Sequence, residues 1–203
     1  MSITIFIVAG ISIVSLIGFS NREIIDRLLM WPYRMWRDNE WYRLISCAFI
    51  HGDLGHLFFN MFAMFSFGSF IEQVFGGMFP GYGTTMYMIM FFTAVAVANI
   101  VNVFQEKDNY AYRSLGASGG VAAIIFAYIL ITPKGGISIY FLPSIPAYIF
   151  GPLYLIYSAV MAKRANDNVG HTAHFTGAVY GFIFPLIFKP RLLLDFFDQI
   201  RGY

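Results

Sequence analysis

Charge is what this chain has least of. Only 12% of its 203 residues are Asp, Glu, Lys or Arg, against 58% hydrophobic, and the mean hydropathy is +0.65. A water-soluble domain carries about 25% charged residues, so a surface facing water on all sides is excluded. The net charge of +2, with no basic patch interleaved with aromatics, excludes nucleic acid as a partner. Cysteine is nearly absent too: Cys47 stands alone, which excludes an intrachain disulfide. No internal repeat or low-complexity tract is present, and nothing marks an appended soluble domain.

The few charges are clustered, leaving residues 1–21, 54–71, 73–105, 114–133, 135–162 and 168–188 free of them. A spanning helix needs roughly 17–25 mostly apolar residues, so each stretch supplies one span and none comfortably two. The expectation is an all-α membrane protein, a single domain over 1–203. Its six transmembrane helices are expected near 3–19, 54–71, 85–103, 117–132, 147–161 and 172–188. The first run has no Lys or Arg ahead of it and no small-x-small cleavage site, so it reads as a span rather than a cleaved leader. Between spans one and two lies a long connection with five arginines, four acids before Asp53, and all three tryptophans. Trp beside Arg is the composition of a membrane-interfacial segment. A Gly-rich turn is expected from Gly76-Gly77 to Gly83, a loop at Lys163–Asp167, and an amphipathic surface helix in the tail after Pro190.

Polar residues inside apolar spans are the informative ones, because they usually face a protein interior or a water-filled cavity. Spans two, four and six enter from the same face. Each has its polar residues near its start: His56 and Asn60, then Ser118, then His174. All four are therefore expected at similar depth below one surface. A serine flanked by glycines and a neutral histidine form a nucleophile and its general base. His56 and Asn60, four apart, share one helical face and can donate to an oxyanion, as can the Ser118 backbone N–H at a helix start. Gly177 and Gly181 repeat the small-xxx-small spacing that lets helix backbones approach. No acid lies in these three spans near the histidine, so a dyad is expected. The pairs His51/His56 and His171/His174 are a metal alternative, but no His-Glu-x-x-His helix and no nearby acidic ligand accompanies them. No metal or organic cofactor is expected.

Together these strings resemble the rhomboid family of intramembrane serine proteases, of the bacterial six-transmembrane type. The resemblance rests on Glu40-Trp41-Tyr42-Arg43-Leu44, on His51 with His56-x-x-x-Asn60, and on Gly116-Ala117-Ser118-Gly119. Ala173-His174-x-x-Gly177-x-x-x-Gly181 completes it. It implies a rhomboid-like bundle, Ser118 as nucleophile, His174 as base, and His56 and Asn60 at the oxyanion. Implied partners are the lipid bilayer and membrane-protein substrates, often single-pass, cut at small residues beside helix-destabilising sequence. One departure concerns the aromatic residue that many family members carry four after the serine, under the histidine ring. Here that position is Ala122, so either another residue such as Phe126 or Phe175 supplies the support or the histidine is less well held.

Two other classes compete: a catalytically silent rhomboid-like protein that binds transmembrane segments, and a small transporter or channel. The transporter reading calls for midplane ionisable residues and related halves, and neither is visible. Orientation is pulled two ways. Nine Lys and Arg fall on the active-site side and four on the other, which by the positive-inside rule puts the site in the cytoplasm. The resemblance implies the reverse: a multi-pass protein of the bacterial inner membrane whose site opens to the extracytoplasmic side. The second orientation is expected, because five of the nine lie in the acid-accompanied first loop.

Overall fold

The computed structural model describes residues 2–138, 143–164 and 169–202. Long apolar runs free of internal charge favour helix, because only a helix satisfies its own backbone in a lipid setting. Helices occupy all six predicted segments: α1 (Ile3–Ser20), α5 (Leu54–Met78), α6 (Gly83–Gln105), α7 (Ser118–Ile131), α8 (Ala147–Arg164) and α9 (His171–Phe188). The chain is an all-α, multi-pass integral membrane protein. By length and composition α1, α5 and α6 each suffice to cross a bilayer, whereas α7 has only 14 residues. Short helices α2 (Arg22–Leu28), α3 (Pro32–Arg37) and α4 (Arg43–Ser46) fill the first connection, followed by a 3-10 turn at Cys47–Phe49. Two-residue strands β1 (Gly136–Ile137) and β2 (Ile145–Pro146) pair between α7 and α8. The loop expected at Lys163–Asp167 is helical in α8 through Arg164; its remainder, 165–167, lies outside the described residues.

α7 is the hub, with ten of its fourteen residues buried among α5, α6, α8, α9 and α10. Its most extensive packing is with α9, where glycine permits backbone contact. A Cβ on Gly177 would fall on the Gly119 carbonyl, and one on Gly181 on the Ala123 backbone. α5 outruns its predicted end by seven residues, passing through Gly76-Gly77. Those glycines do not turn the chain. Gly76 lets α6 start against α5, since a Cβ on Gly83 would strike its backbone. The turn is formed instead at Phe79–Tyr82, with Gly81 at φ +78.

α1 is tied to the last third of α5 by one carboxylate. Glu72 accepts from the N–H groups of Ile3 (2.8 Å) and Thr4 (3.0 Å) and from the hydroxyls of Ser2 (2.6 Å) and Thr4 (2.7 Å). It thereby satisfies orphan donors at the start of α1.

The tail forms α10 (Leu192–Arg201), turned 111° from α9. Phe196 packs on Phe182 of α9, and Gln199 donates to the Ile131 carbonyl at the end of α7 (3.2 Å). Leu194 and Phe197 point outward.

The first connection is a folded ledge rather than a hydrated loop. Arg43 is 1% exposed, donating to Glu40 (2.5 Å) and to the carbonyls of Asp26 and Leu29 (both 2.8 Å). Glu40 also receives Arg34 (2.7 Å). Trp36 and Trp41 meet edge to face and stay part-exposed, and Trp31 lies under the Arg113 guanidinium, 3.2 Å from the ring centroid.

Candidate active site

Ser118 is the first residue of α7, and three contacts fix the strand-like approach to it. Met30 and Ser114 exchange backbone hydrogen bonds (2.9 and 3.1 Å), the Gly116 N–H donates to the Cys47 carbonyl (2.9 Å), and the Ala117 N–H points at His51 Nε2 (3.4 Å). The Trp- and Arg-rich ledge thus holds the segment that carries the serine. Gly116 has φ +111, and a Cβ there would meet His56 Cε1 at 2.7 Å and Nε2 at 2.9 Å. Only glycine satisfies both conditions.

His51 is fully buried between these parts. Its Nε2 accepts from Ala117, so Nδ1 carries the proton and donates to Ser15 Oγ (2.9 Å), which donates in turn to the Phe49 carbonyl (2.9 Å). Burial, and secondarily the neighbouring His56, push the His51 pKa down to about 3, with Asp53 opposing. The ring stays neutral at physiological pH, as this hydrogen-bond chain requires. Burial likewise pushes the Cys47 thiol up to about 12, leaving it a protonated core residue.

Asp53 caps α5, accepting from the His56 N–H (2.8 Å). One turn further, buried Asn60 donates from Nδ2 to the His56 carbonyl (2.9 Å). That bond uses one of the two amide hydrogens. The His56 ring stands edge-on to His51, centroids 4.9 Å apart.

His174 opens α9 one turn in, its N–H donating to the Gly170 carbonyl (3.0 Å). Tyr154 of α8 stacks on its ring (6.5 Å, 29° between planes), and His171 approaches edge-on at 6.1 Å. The aromatic support comes from α8, which corrects the expectation of Phe126 or Phe175. Phe126 packs behind Tyr154 (5.6 Å), and Phe175 faces outward, 37% exposed. No motif in segment five marks Tyr154. Only the path of α8 past α9 reveals it. Should this cavity cleave peptides, Tyr154→Ala is expected to lower kcat by roughly 10- to 100-fold through misplacement of the imidazole, whereas Tyr154→Phe keeps the ring and near wild-type turnover. An alanine variant at full kcat in a peptide-cleavage assay would reduce the stack to packing.

His56, Asn60, Ser118 and His174 line one cavity of about 1070 Å³. Asn99 of α6 and Arg113 also reach it, neither singled out by sequence. Ser118 and His174 share the space without a hydrogen bond between them among the described residues. A loose nucleophile–base pair is common before substrate binds. The N–H groups of Ser118, Gly119 and Gly120 precede the first intrahelical bond of α7, from the Val121 N–H to the Ala117 carbonyl (3.0 Å). They are donors beside the serine. Among the described residues no three His, Cys, Asp or Glu side chains converge as a metal site.

Comparison with known proteins agrees with this architecture. The rhomboid domain model matches residues 38–191. The chain is similar to RHOMBOID-like protein 12, mitochondrial, of Arabidopsis thaliana, 26% identical over 171 residues, covering 80% of this chain and 51% of that protein. It is similar to the human presenilin-associated rhomboid-like protein, mitochondrial, at 27% identity over 174 residues, 78% of this chain and 42% of the other. It also resembles the putative rhomboid protease YdcA of Bacillus subtilis, 23% identical over 162 residues and 73% of each chain. The chain thus spans about half, or less, of the mitochondrial relatives' length.

Proposed function

This chain belongs to the rhomboid domain family, and on that premise we propose that it is an intramembrane serine endopeptidase working through a Ser118–His174 dyad. The observation that carries the reading is the convergence of four polar side chains, from the starts of α5, α7 and α9, on one cavity. His174 takes the Ser118 hydroxyl proton as Oγ attacks the scissile carbonyl. The Ser118 N–H, Asn60 Nδ2 and His56 donate to the oxyanion. The imidazolium then protonates the leaving amine, and an acyl-enzyme remains. Water enters the cavity, gives its proton to His174 and releases the acid, restoring Ser118. No residue in this scheme requires a metal.

In this reading the six long helices are six spans of one domain, 1–203. The substrates are transmembrane segments of membrane proteins. Their entry side is marked by α5 and α8, which present Phe58, Phe62, Leu153 and Ile156 outward while Phe59 and Tyr154 line the cavity. The experiment is covalent labelling of purified protein by a fluorophosphonate probe. Modification at Ser118, lost in Ser118→Ala, supports the enzyme. An unlabelled, folded protein that still captures transmembrane peptides supports the catalytically silent binder instead.

Asn60→Ala and His56→Ala are each expected to lower turnover by roughly 10- to 10³-fold, the scale of losing one oxyanion donor, with Ser118 labelling slowed rather than lost. Wild-type rates in both would leave these side chains a packing role alone.

The site is proposed to open to the extracytoplasmic side of a bacterial-type plasma membrane. Four of the five ledge arginines are engaged by acids: Arg27 by Glu23, Arg34 by Asp38 and Glu40, Arg37 by Asp108 and Arg43 by Glu40. Their charge is thereby offset in the topology balance. With Cys47 replaced by Ala, a cysteine at Arg164 is expected to react with a membrane-impermeant thiol reagent in intact cells, and one at Arg191 is not. The opposite pattern means the positive-inside rule holds and the orientation is reversed.

A further inference from the structure

A second concavity lies apart from the catalytic cavity. It measures about 350 Å³ and is lined almost wholly by apolar atoms of four helices: Phe126 and Ile129 of α7, Gly151 and Leu155 of α8, Phe182 of α9 and Phe196 of α10. Such a space is too apolar to hold ordered water. Its α10 end carries two cations, Lys134 and Arg201, beside one acid, Asp198. Tyr148, which also lines it, donates its N–H to the carbonyl of Pro133, next to Lys134. The Lys134 ammonium lies 3.8 Å from the Cβ position of Gly202, just after Arg201 closes α10. Lys134 and Arg201 are both exposed, and neither is in an ion pair among the described residues. They stand at the C-terminal, carbonyl end of α10, the end away from its 111° turn with α9.

We propose that this groove binds one anionic phospholipid of the surrounding bilayer, with an acyl chain between α8 and α9 and the phosphate at Lys134 and Arg201. The groove supplies apolar volume for a chain, and the cations supply the charge complement for its headgroup at the bilayer surface. Glycine at 151 is what keeps it open. A Cβ there would meet Ile129 at 3.5 Å and Phe126 at 3.7 Å, ordinary contact, so a larger side chain would project into the groove. The groove also touches the catalytic cavity indirectly, because Phe126 on its floor packs against Tyr154. The lipid site stands without the proposed protease activity and is tested separately from it.

The test is native mass spectrometry of the full chain, purified in detergent and mixed with phosphatidylglycerol or phosphatidylcholine of identical acyl chains. The expected result is one retained phosphatidylglycerol per chain, favoured over phosphatidylcholine on the order of 10-fold by two cations. Gly151→Leu is expected to lose the retained lipid. Lys134→Gln with Arg201→Gln is expected to keep one lipid but bind both headgroups equally. Both substituted cations are exposed, so this variant carries the test even where Gly151→Leu fails to fold. Equal retention of the two lipids by the unmodified chain overturns the proposal. So does lipid retention unchanged in the folded variants, occupancy by detergent alone, or a dimer that Gly151→Leu disperses.

Discussion

Ser118→Ala and His174→Ala are each expected to abolish cleavage of a transmembrane substrate while the protein remains folded in detergent. A nucleophile and its base act as a unit, so each single loss should cost roughly 10⁴-fold or more in kcat, and the double variant should be little worse than either. Additive losses would mean that the two side chains do separate jobs. Folding is expected to persist because Ser118 makes no side-chain hydrogen bond among the described residues, and the His174 ring meets Tyr154 by stacking and His171 edge-on. Turnover is measured on a reconstituted substrate, with fluorophosphonate labelling as the parallel readout. Substantial cleavage by Ser118→Ala would remove the dyad mechanism altogether.

The second large effect is expected at the α7–α9 crossing. Gly177→Val places a branched side chain against the Gly119 carbonyl and backbone, atoms with no rotamer by which to move aside. Overpacking of this kind costs about 1–3 kcal/mol or more, and the helices must separate to relieve it. Because Gly119 follows Ser118 directly, separation also moves the serine from the histidine, so activity should fall more than stability does. Gly77→Ala is the control: nothing lies within 4 Å of its Cβ position, and alanine favours helix by about 1 kcal/mol over glycine. Thermal unfolding in detergent should therefore show a lowered transition for Gly177→Val and an unchanged or raised one for Gly77→Ala. A Gly177→Val protein as stable and active as wild type would mean the crossing is looser than described.

The six helical segments were legible because charge is so scarce that its clusters punctuate the chain. Four of the residues lining the cavity, His56, Asn60, Ser118 and His174, were legible because a polar group early in an apolar run stands out, and parity of the spans puts three such starts on one face. What stayed hidden depends on tertiary contact. Gly76-Gly77 has the look of a turn in isolation, yet the pair continues α5 because Gly83 needs a bare backbone to pack on. Tyr154 sits in an unremarkable apolar run, and its place beside His174 follows from where α8 passes. Ala122 showed that an aromatic support was missing from α7, but a gap in one helix does not name the helix that fills it. The first connection gave its composition but not its task, which rests on a two-residue bridge between Met30 and Ser114, far apart in sequence.

The carboxylate of Glu72 has a consequence for biogenesis. Its four partners lie 68 to 70 residues before it, so α1 is synthesised and inserted well before α5 is complete. During that interval the first N–H groups of α1 have only water or lipid headgroups as acceptors. Docking of α1 is therefore a late event with a long loop to close, and the newly made chain passes through a stage in which its first helix is inserted but not yet fastened. Anything that surveys unassembled membrane proteins would meet α1 in that stage, and Glu72 is the residue whose arrival ends it.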